Sequence, residues 1–165
     1  MVKKRVGEPW MPADQYGRGL PRFTVNLLVT DLARSIEFYR RVLGAEARYS
    51  DPDFAAMRIG ALDFLLHADH TYDRHPWAPR LEAGLERGLG AELRLFGVDP
   101  DRLEARARGA GAAVLGPATD KPHGWREVWI QDPDGYVWAV GAALSVPFGR
   151  SLLGPSAGFL PWFSR

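Results

Sequence analysis

The chain has 165 residues, 46% of them hydrophobic and 25% charged, which is enough to bury the core of one ordinary globular domain. Its 21 lysines and arginines balance 20 acidic residues to a formal charge of +1, which argues against nucleic acid or an anionic membrane as the partner. The absence of cysteine excludes disulfide bonds, thiolate zinc sites and cysteine nucleophiles.

Residues 1–21 form an N-terminal arm that does not resemble a targeting signal. Its basic start is interrupted by Gly7, Pro9 and Pro12 before an apolar run can develop, unlike the start of a secretory signal peptide. No apolar stretch is long enough to span a bilayer. We therefore expect a cytoplasmic protein that does not enter membranes.

The first regular elements predict a strand, a helix and three further strands. RFTVNLLVT alternates apolar and polar residues, as a half-buried strand does. Thr30 or Asp31 is expected to cap an amphipathic helix that ends at Gly44. Strands follow in EARYS, FAAMRIG and ALDFLLHA. Residues 22–68 therefore form a βαβββ unit.

The same order of elements returns after a connector. Residues 69–89 contain several prolines and glycines and are expected to hold at most a short helix. Residues 90–143 then supply a strand in AELRLFGV, a helix opened by Asp99 and Pro100, and strands in AAVLGP, WREVWIQ and YVWAVG. The sequence therefore predicts one domain of two βαβββ modules, followed by an aromatic tail over residues 144–165.

Two segments carry a family resemblance. TVNLLVTDLARSIEFYRRVLGA and WREVWIQDPDGYVWAVG resemble the two signatures of the vicinal oxygen chelate superfamily, which includes glyoxalase I, bleomycin-resistance proteins, fosfomycin-resistance enzymes and extradiol dioxygenases. The resemblance covers roughly residues 22–143. It implies an α+β fold in which two βαβββ modules form a curled, cup-like mixed sheet with the helices outside. It also implies that a ligand binds inside the cup, frequently at a dimer interface.

Enzymes of this superfamily hold a divalent metal with four side chains, usually His, Glu or Gln, one from each of four cup strands. The resemblance assigns these positions to Thr24, to one of Asp63, Leu65 and His67, to Glu92, and to Ala139. Thr24 is a poor ligand and Ala139 is none, so at most two good ligands remain where a catalytic site usually needs three. We therefore expect no metal and no other cofactor. His67, Asp69, His70 and His75 in HADHTYDRH resemble a replacement metal cluster, but a surface-loop or pocket-rim position is favoured for these histidines.

Alternation along the strands predicts which residues face the ligand. The apolar residues expected beneath the helices are Val25, Leu27, Leu93, Leu95, Val128 and Ile130. The residues predicted to line the ligand pocket are Thr24, Asn26, Asp63, Leu65, His67, Glu92, Arg94, Phe96, Trp125, Glu127, Trp129 and Ala139. Trp125 and Trp129 are the expected stacking planes, whereas Trp138 points to the opposite side and should pack beneath a helix.

These expectations favour a metal-independent protein that resembles bleomycin-resistance proteins and sequesters a planar aromatic small molecule, neutral or cationic. The alternative is an enzyme, either glyoxalase- or dioxygenase-like with altered metal ligands, or a metal-free acid/base lyase or isomerase with Glu92 or Glu127 as base. A third possibility is a protein-interaction module that uses the aromatic tail. We further expect a homodimer with this tail at or near the interface.

Overall fold

A computed structural model describes residues 3–145 of the chain. The helices of this region are α1 (Ala13–Gly19), α2 (Leu32–Arg41), α3 (Ala78–Glu82) and α4 (Pro100–Gly109), with a short 3₁₀ turn at Asp69–Tyr72. The strands are β1 (Val25–Val29), β2 (Glu46–Ser50), β3 (Phe54–Ile59), β4 (Leu62–Ala68), β5 (Glu92–Phe96), β6 (Ala113–Asp120), β7 (Trp125–Gln131) and β8 (Val137–Ala143).

The strands form two mixed sheets with the same topology. The first has the order β1-β4-β3-β2 and the second the order β5-β8-β7-β6. In each sheet the opening strand runs parallel to the last strand of its module, and the remaining pairs are antiparallel. The predicted α+β fold of two βαβββ modules is therefore confirmed, without closure into a barrel.

Both long helices begin at aspartate caps. The Asp31 carboxylate accepts the backbone N–H of Arg34 at 3.0 Å, and the Asp99 carboxylate accepts two N–H groups of the first turn of α4. Pro100 occupies the first turn, where its missing N–H costs nothing. The helix α2 ends at Arg41, and a tight turn completes the connection to Gly44, whose φ is +69°.

The helix-facing sides of the two sheets share one core. Leu27, Val128 and Ile130 are buried in it, and the remaining predicted apolar residues pack against it. Trp138 is 3% exposed and its ring lies 5.9 Å from that of Tyr39 on α2, so the prediction that it packs beneath a helix is confirmed. The period-two assignment of the strand faces is thereby correct for this side of both sheets.

The turn between β7 and β8 ties the second module to the first. The Asp132 carboxylate accepts two N–H groups of its own turn and the hydroxyl of Tyr39. The Asp134 carboxylate accepts the backbone N–H of Thr30 at 2.8 Å, just before α2. Gly135 has a φ of +101°, the conformation expected of a turn glycine. The turn therefore closes the hairpin and also fixes the start of α2.

The N-terminal arm carries structure that the sequence analysis did not assign. It includes α1, and its beginning is held by Asp53, whose carboxylate accepts the N–H groups of Lys4 and Arg5 at 2.7 and 3.2 Å. The arm therefore runs back across the first sheet.

Within residues 3–145, no helix is long and apolar enough to cross a bilayer. Most of the aromatic tail, residues 146–165, lies outside the described residues, so its expected packing at an interface stays a prediction.

Candidate functional site

A cleft of about 1060 Å³ lies between the N-terminal arm and the face of the first sheet that points away from α2. Its aromatic wall is formed by Trp10, Tyr16, Tyr49, Phe54 and Tyr72, together with His67 and His75. This volume is close to the upper end of the range typical of small-molecule sites.

The arm and the sheet each supply aromatic rings to this cleft. The Trp10 ring stacks on Tyr49 with centroids 5.3 Å apart and an interplanar angle of 13°. The Tyr16 ring meets Phe54 edge-on at 5.5 Å, and Phe54 lies 4.8 Å from the His67 ring. A flat ligand in the cleft would therefore find aromatic surface on the arm and on the sheet.

A hydrogen-bonded chain of three side chains borders the cleft. The His67 Nδ1 atom lies 2.7 Å from Asn26 Oδ1, and Asn26 Nδ2 donates to the Tyr72 hydroxyl, also at 2.7 Å. Burial lowers the pKa of His67, and the nearby charge of Asp51 opposes this shift only in part. The imidazole is therefore neutral at physiological pH.

The predicted residues of the first sheet occupy different places around the cleft. Leu65 and His67 line it, and Asn26 contacts two of its lining side chains. Asp63 makes a two-pronged ion pair with Arg58 at 2.6 and 2.8 Å, and hydrogen bonding to this guanidinium lowers the pKa of Asp63. Thr24 precedes β1 and is half-buried.

The predicted residues of the second sheet gather on one face of that sheet. Arg94 donates to Glu92 at 2.7 Å and also to Glu127, which is 3% exposed. The same guanidinium lies 5.3 Å from the ring centroid of Phe96, which contacts Trp125 at 4.6 Å. One arginine thus binds both carboxylates of this face, and the three side chains together keep a net charge of −1.

This second face is open in the described part of the chain. Phe96 is 49% exposed and Trp129 is 38% exposed, and the Lys121 ammonium lies 4.0 Å from the Trp129 ring centroid. Ala139 pairs with Trp129 across β7 and β8 and is 1% exposed.

The predicted pocket residues lie on two separate sheets, and of these two sheets only the first lines the cleft beneath the arm. The alternation of residues along a strand assigns each residue to one face of its sheet, but it does not predict how the two sheets are placed relative to each other.

The strand registers identify the position that the sequence left open among the metal ligands. Asn26 on β1 pairs with Leu65, and at the equivalent place Arg94 on β5 pairs with Ala139. Leu65 is therefore the counterpart of Ala139. The four positions become Thr24, Leu65, Glu92 and Ala139. Only Glu92 is a carboxylate, and it is bound by Arg94. These residues do not fit a divalent metal.

Histidines near the end of β4 do not replace this set. His67 faces Asn26, His70 contacts Asp53 at 2.8 Å, and His75 packs on the Tyr72 ring at 4.9 Å. Across residues 3–145 there is no group of three or more His, Asp or Glu side chains placed to hold a metal ion.

The contribution of the arm to the site was not predicted from the sequence. Trp10 and Tyr16 belong to a segment rich in Pro and Gly that has no strand or helix periodicity. Two large aromatic residues in such a segment are the one signal that it packs on the domain, because isolated exposed aromatics in a disordered arm are uncommon.

The comparisons with known proteins agree on the fold. The model of the Glyoxalase/Bleomycin resistance protein/Dioxygenase superfamily matches residues 21–140, so residues 3–20 of the arm lie outside it. No curated protein matches the chain.

Solved structures with similar folds include a glyoxalase/bleomycin resistance protein/dioxygenase from Nocardioides, with a TM-score of 0.60, 24% identity, and coverage of 89% of this chain and 95% of that one. A family enzyme from Burkholderia phytofirmans PsJN has a TM-score of 0.61, 21% identity, and coverage of 73% and 97%. Lactoylglutathione lyase from Agrobacterium tumefaciens has a TM-score of 0.55, 20% identity, and coverage of 72% and 91%. At these identities the similarity concerns the fold.

Proposed function

Because the chain belongs to the glyoxalase/bleomycin resistance protein/dioxygenase superfamily and its metal positions are not filled by ligands, we propose that it is a metal-independent binding protein that sequesters a planar aromatic small molecule. The observation that carries this proposal is the aromatic cleft beneath the arm. Each ring that stacks on the ligand contributes about 0.5–1.5 kcal/mol beyond the area that it buries.

The charges around the cleft favour a ligand without net negative charge. The charged residues of its lining are Lys3, Arg5 and Arg74, and Glu8, Asp51, Asp53 and Asp73. Positive and negative groups are nearly balanced, so no strong field attracts a phosphate or a small dicarboxylate. A neutral heteroaromatic compound, or a cationic one held over an aromatic ring, fits this lining best.

The open face of the second sheet is a further aromatic surface on which such a ligand could bind. Trp125 and Trp129 offer ring faces there, and Arg94 offsets one of the two neighbouring carboxylate charges. A ligand on this face would therefore also be selected by stacking, and the remaining negative charge disfavours an anion.

Fluorescence titration tests the proposal, because tryptophans lie at both surfaces. A flat heteroaromatic probe such as acridine is expected to quench the emission and to bind, whereas malonate and inorganic phosphate are not. Tyr49→Ala removes the ring beneath Trp10 and is expected to weaken binding by about tenfold or more. Trp129→Ala removes the corresponding ring on the face of the second sheet and is expected to weaken binding there.

Phe23→Ala is the matched control, because Phe23 is 79% exposed and does not line the cleft. If only anionic, non-aromatic compounds bind, or if Tyr49→Ala and Trp129→Ala both leave the affinity at the level of Phe23→Ala, the proposed function is wrong.

A further inference from the structure

The amide of Asn26 fixes the protons of two side chains at the cleft. Its Nδ2 donates to the Tyr72 hydroxyl and its Oδ1 faces His67 Nδ1. Because the amide oxygen only accepts, Nδ1 must carry the imidazole proton, and Nε2 keeps its lone pair. The Tyr72 oxygen already accepts from Asn26, so its own hydrogen is available to another group.

Both available groups belong to the lining of the cleft. The His67 and Tyr72 rings are 5.7 Å apart between centroids, in an edge-to-face arrangement. Among the described residues, His67 makes its hydrogen bond through Nδ1 and none through Nε2. A flat molecule stacked near Phe54, whose ring is 4.8 Å from His67, would have its edge beside a base and a hydrogen-bond donor.

The surroundings keep this imidazole unprotonated. Burial lowers the pKa of His67, with partial opposition from Asp51. The titratable or charged groups that line the same cleft are Lys3, Arg5, Glu8 and Tyr16 on the arm, Tyr49 on β2, Asp51 and Asp53 before β3, and Tyr72, Asp73, Arg74 and His75 after β4. A neutral imidazole with a free nitrogen is the form that removes protons. By contrast, Arg94 occupies the carboxylates of Glu92 and Glu127.

We propose that His67 and Tyr72 form a metal-free acid/base pair that removes a proton from a flat aromatic compound bound in the cleft. The lone pair of Nε2 takes a proton from an acidic C–H or O–H bond, and the electrons of that bond stay on the substrate. They move onto an oxygen of the substrate or expel it as a leaving group, while the Tyr72 O–H donates a hydrogen bond to that oxygen. The imidazolium then returns its proton to product or water.

This activity goes beyond sequestration and depends on the proposed function only in that a flat ligand must occupy the cleft. Asn26 touches His67 and Tyr72 but not the reacting atoms, so it is a positioning residue.

Nitrobenzisoxazole is a suitable probe, because it is a flat heteroaromatic compound with an acidic ring C–H. Removal of that proton forms a nitrile, breaks the N–O bond and releases a coloured phenolate, with no other reactant. The full-length protein is expected to give saturable turnover that rises with pH through a midpoint below 6.5, the ordinary pKa of histidine.

His67→Gln keeps a side chain that can hydrogen-bond to Asn26 but has no basic nitrogen. It is expected to lower kcat by about 100-fold or more with little change in KM, the size typical of a lost general base. Tyr72→Phe is expected to lower kcat by a smaller factor. His123→Gln is expected to have no effect, because His123 lies in the turn between β6 and β7, contacts Glu127 and does not line the cleft.

Asn26→Asp tests the positioning role. A carboxylate facing the Nδ1–H group stabilises the imidazolium, so the midpoint of the pH–rate profile is expected to move upward. A merely structural role for Asn26 would change the protein's stability but leave this midpoint in place, which would contradict the positioning role.

The outcomes separate the two proposals. If the probe quenches fluorescence and binds but is turned over no faster by the wild type than by His67→Gln, the acid/base pair is wrong and the binding function stands. If neither the probe nor acridine binds, the proposed function also fails. Nitrogen-15 NMR gives an independent check, because a proton on His67 Nε2 rather than on Nδ1 would overturn the proposal.

Discussion

At the scale of single residues, the contact between Tyr39 and Asp132 joins the two modules inside the core. Tyr39 is fully buried on α2, and Asp132, from the turn of the second module, is 5% exposed. Burial raises the pKa of Asp132, and the hydrogen bond from the Tyr39 hydroxyl works against this rise. Burial, together with the neighbouring Asp132 charge, raises the pKa of Tyr39 well above its usual value. The tyrosine therefore remains a donor throughout the physiological range.

Removing this donor is expected to destabilise the fold. Tyr39→Phe leaves the buried carboxylate with one donor fewer, and we expect a loss of about 1–3 kcal/mol in the free energy of unfolding at pH 7. Because the Tyr39 hydroxyl stabilises the ionised form of Asp132, the loss should shrink as acidification protonates this carboxyl group. The raised pKa of Asp132 brings this about at a higher pH than in the unfolded chain. Urea unfolding at pH 7 and near pH 4 measures both effects.

Tyr16→Phe is the control, because the Tyr16 hydroxyl makes no hydrogen bond within residues 3–145. An equal loss of stability in the two variants, or a Tyr39→Phe loss that grows in acid, would contradict this account of the pair.

At the scale of elements, the arm forms one wall of the cleft and depends on a small set of polar contacts. Burial alone would raise the pKa of Asp53. Hydrogen bonds from His70 and from the N–H groups of Lys4 and Arg5 outweigh this effect, so the pKa of Asp53 lies below its ordinary value of 3.8. A carboxylate with a depressed pKa stabilises the folded state above its ordinary pKa, and this contribution is lost as the pH falls through the folded value. Docking of the arm should therefore weaken only in strong acid.

Asp53→Ala is expected to release the arm at neutral pH. Trypsin should then cleave within the arm several times faster than in the wild type, and the affinity for acridine should fall because Trp10 no longer covers the cleft. Asp14→Ala is the control, since Asp14 is exposed and its one ion pair within residues 3–145 is with Arg18 on the same short helix. Unchanged cleavage and affinity in Asp53→Ala would show that Asp53 does not hold the arm.

The strands and long helices were predictable because their signals are local. Apolar alternation predicted the buried face that holds Leu27 and Val128, and aspartate caps predicted the helix starts at Asp31 and Asp99. The docking of the arm on the first sheet was not predicted, because Trp10 reaches the domain through one ring contact distant in sequence rather than through a repeating pattern. The partners of His67 were also unpredictable, because they depend on the parallel register of β1 with β4.

At the scale of the whole molecule, the second sheet leaves an apolar face uncovered within the described residues. Phe96, Leu115 and Trp129 on or beside this face are 49%, 52% and 38% exposed. We expect a homodimer that covers such surface, because exposed aromatic patches favour association.

Sedimentation velocity at micromolar concentration measures the oligomeric state of the protein, and a monomer would contradict the expected homodimer. Truncation after Val146 tests the contribution of the tail. If the truncated chain becomes monomeric but keeps its affinity for acridine, the tail acts in assembly and the cleft acts alone in binding.

The most direct test of the whole account is a fluorescence titration with acridine of protein that has been treated with a chelator and shown by elemental analysis to carry no divalent metal. We predict saturable quenching with one site per chain, the same affinity before and after chelation, and weaker binding by Tyr49→Ala. Binding that is lost on chelation and restored by zinc, nickel, manganese or iron would contradict the account.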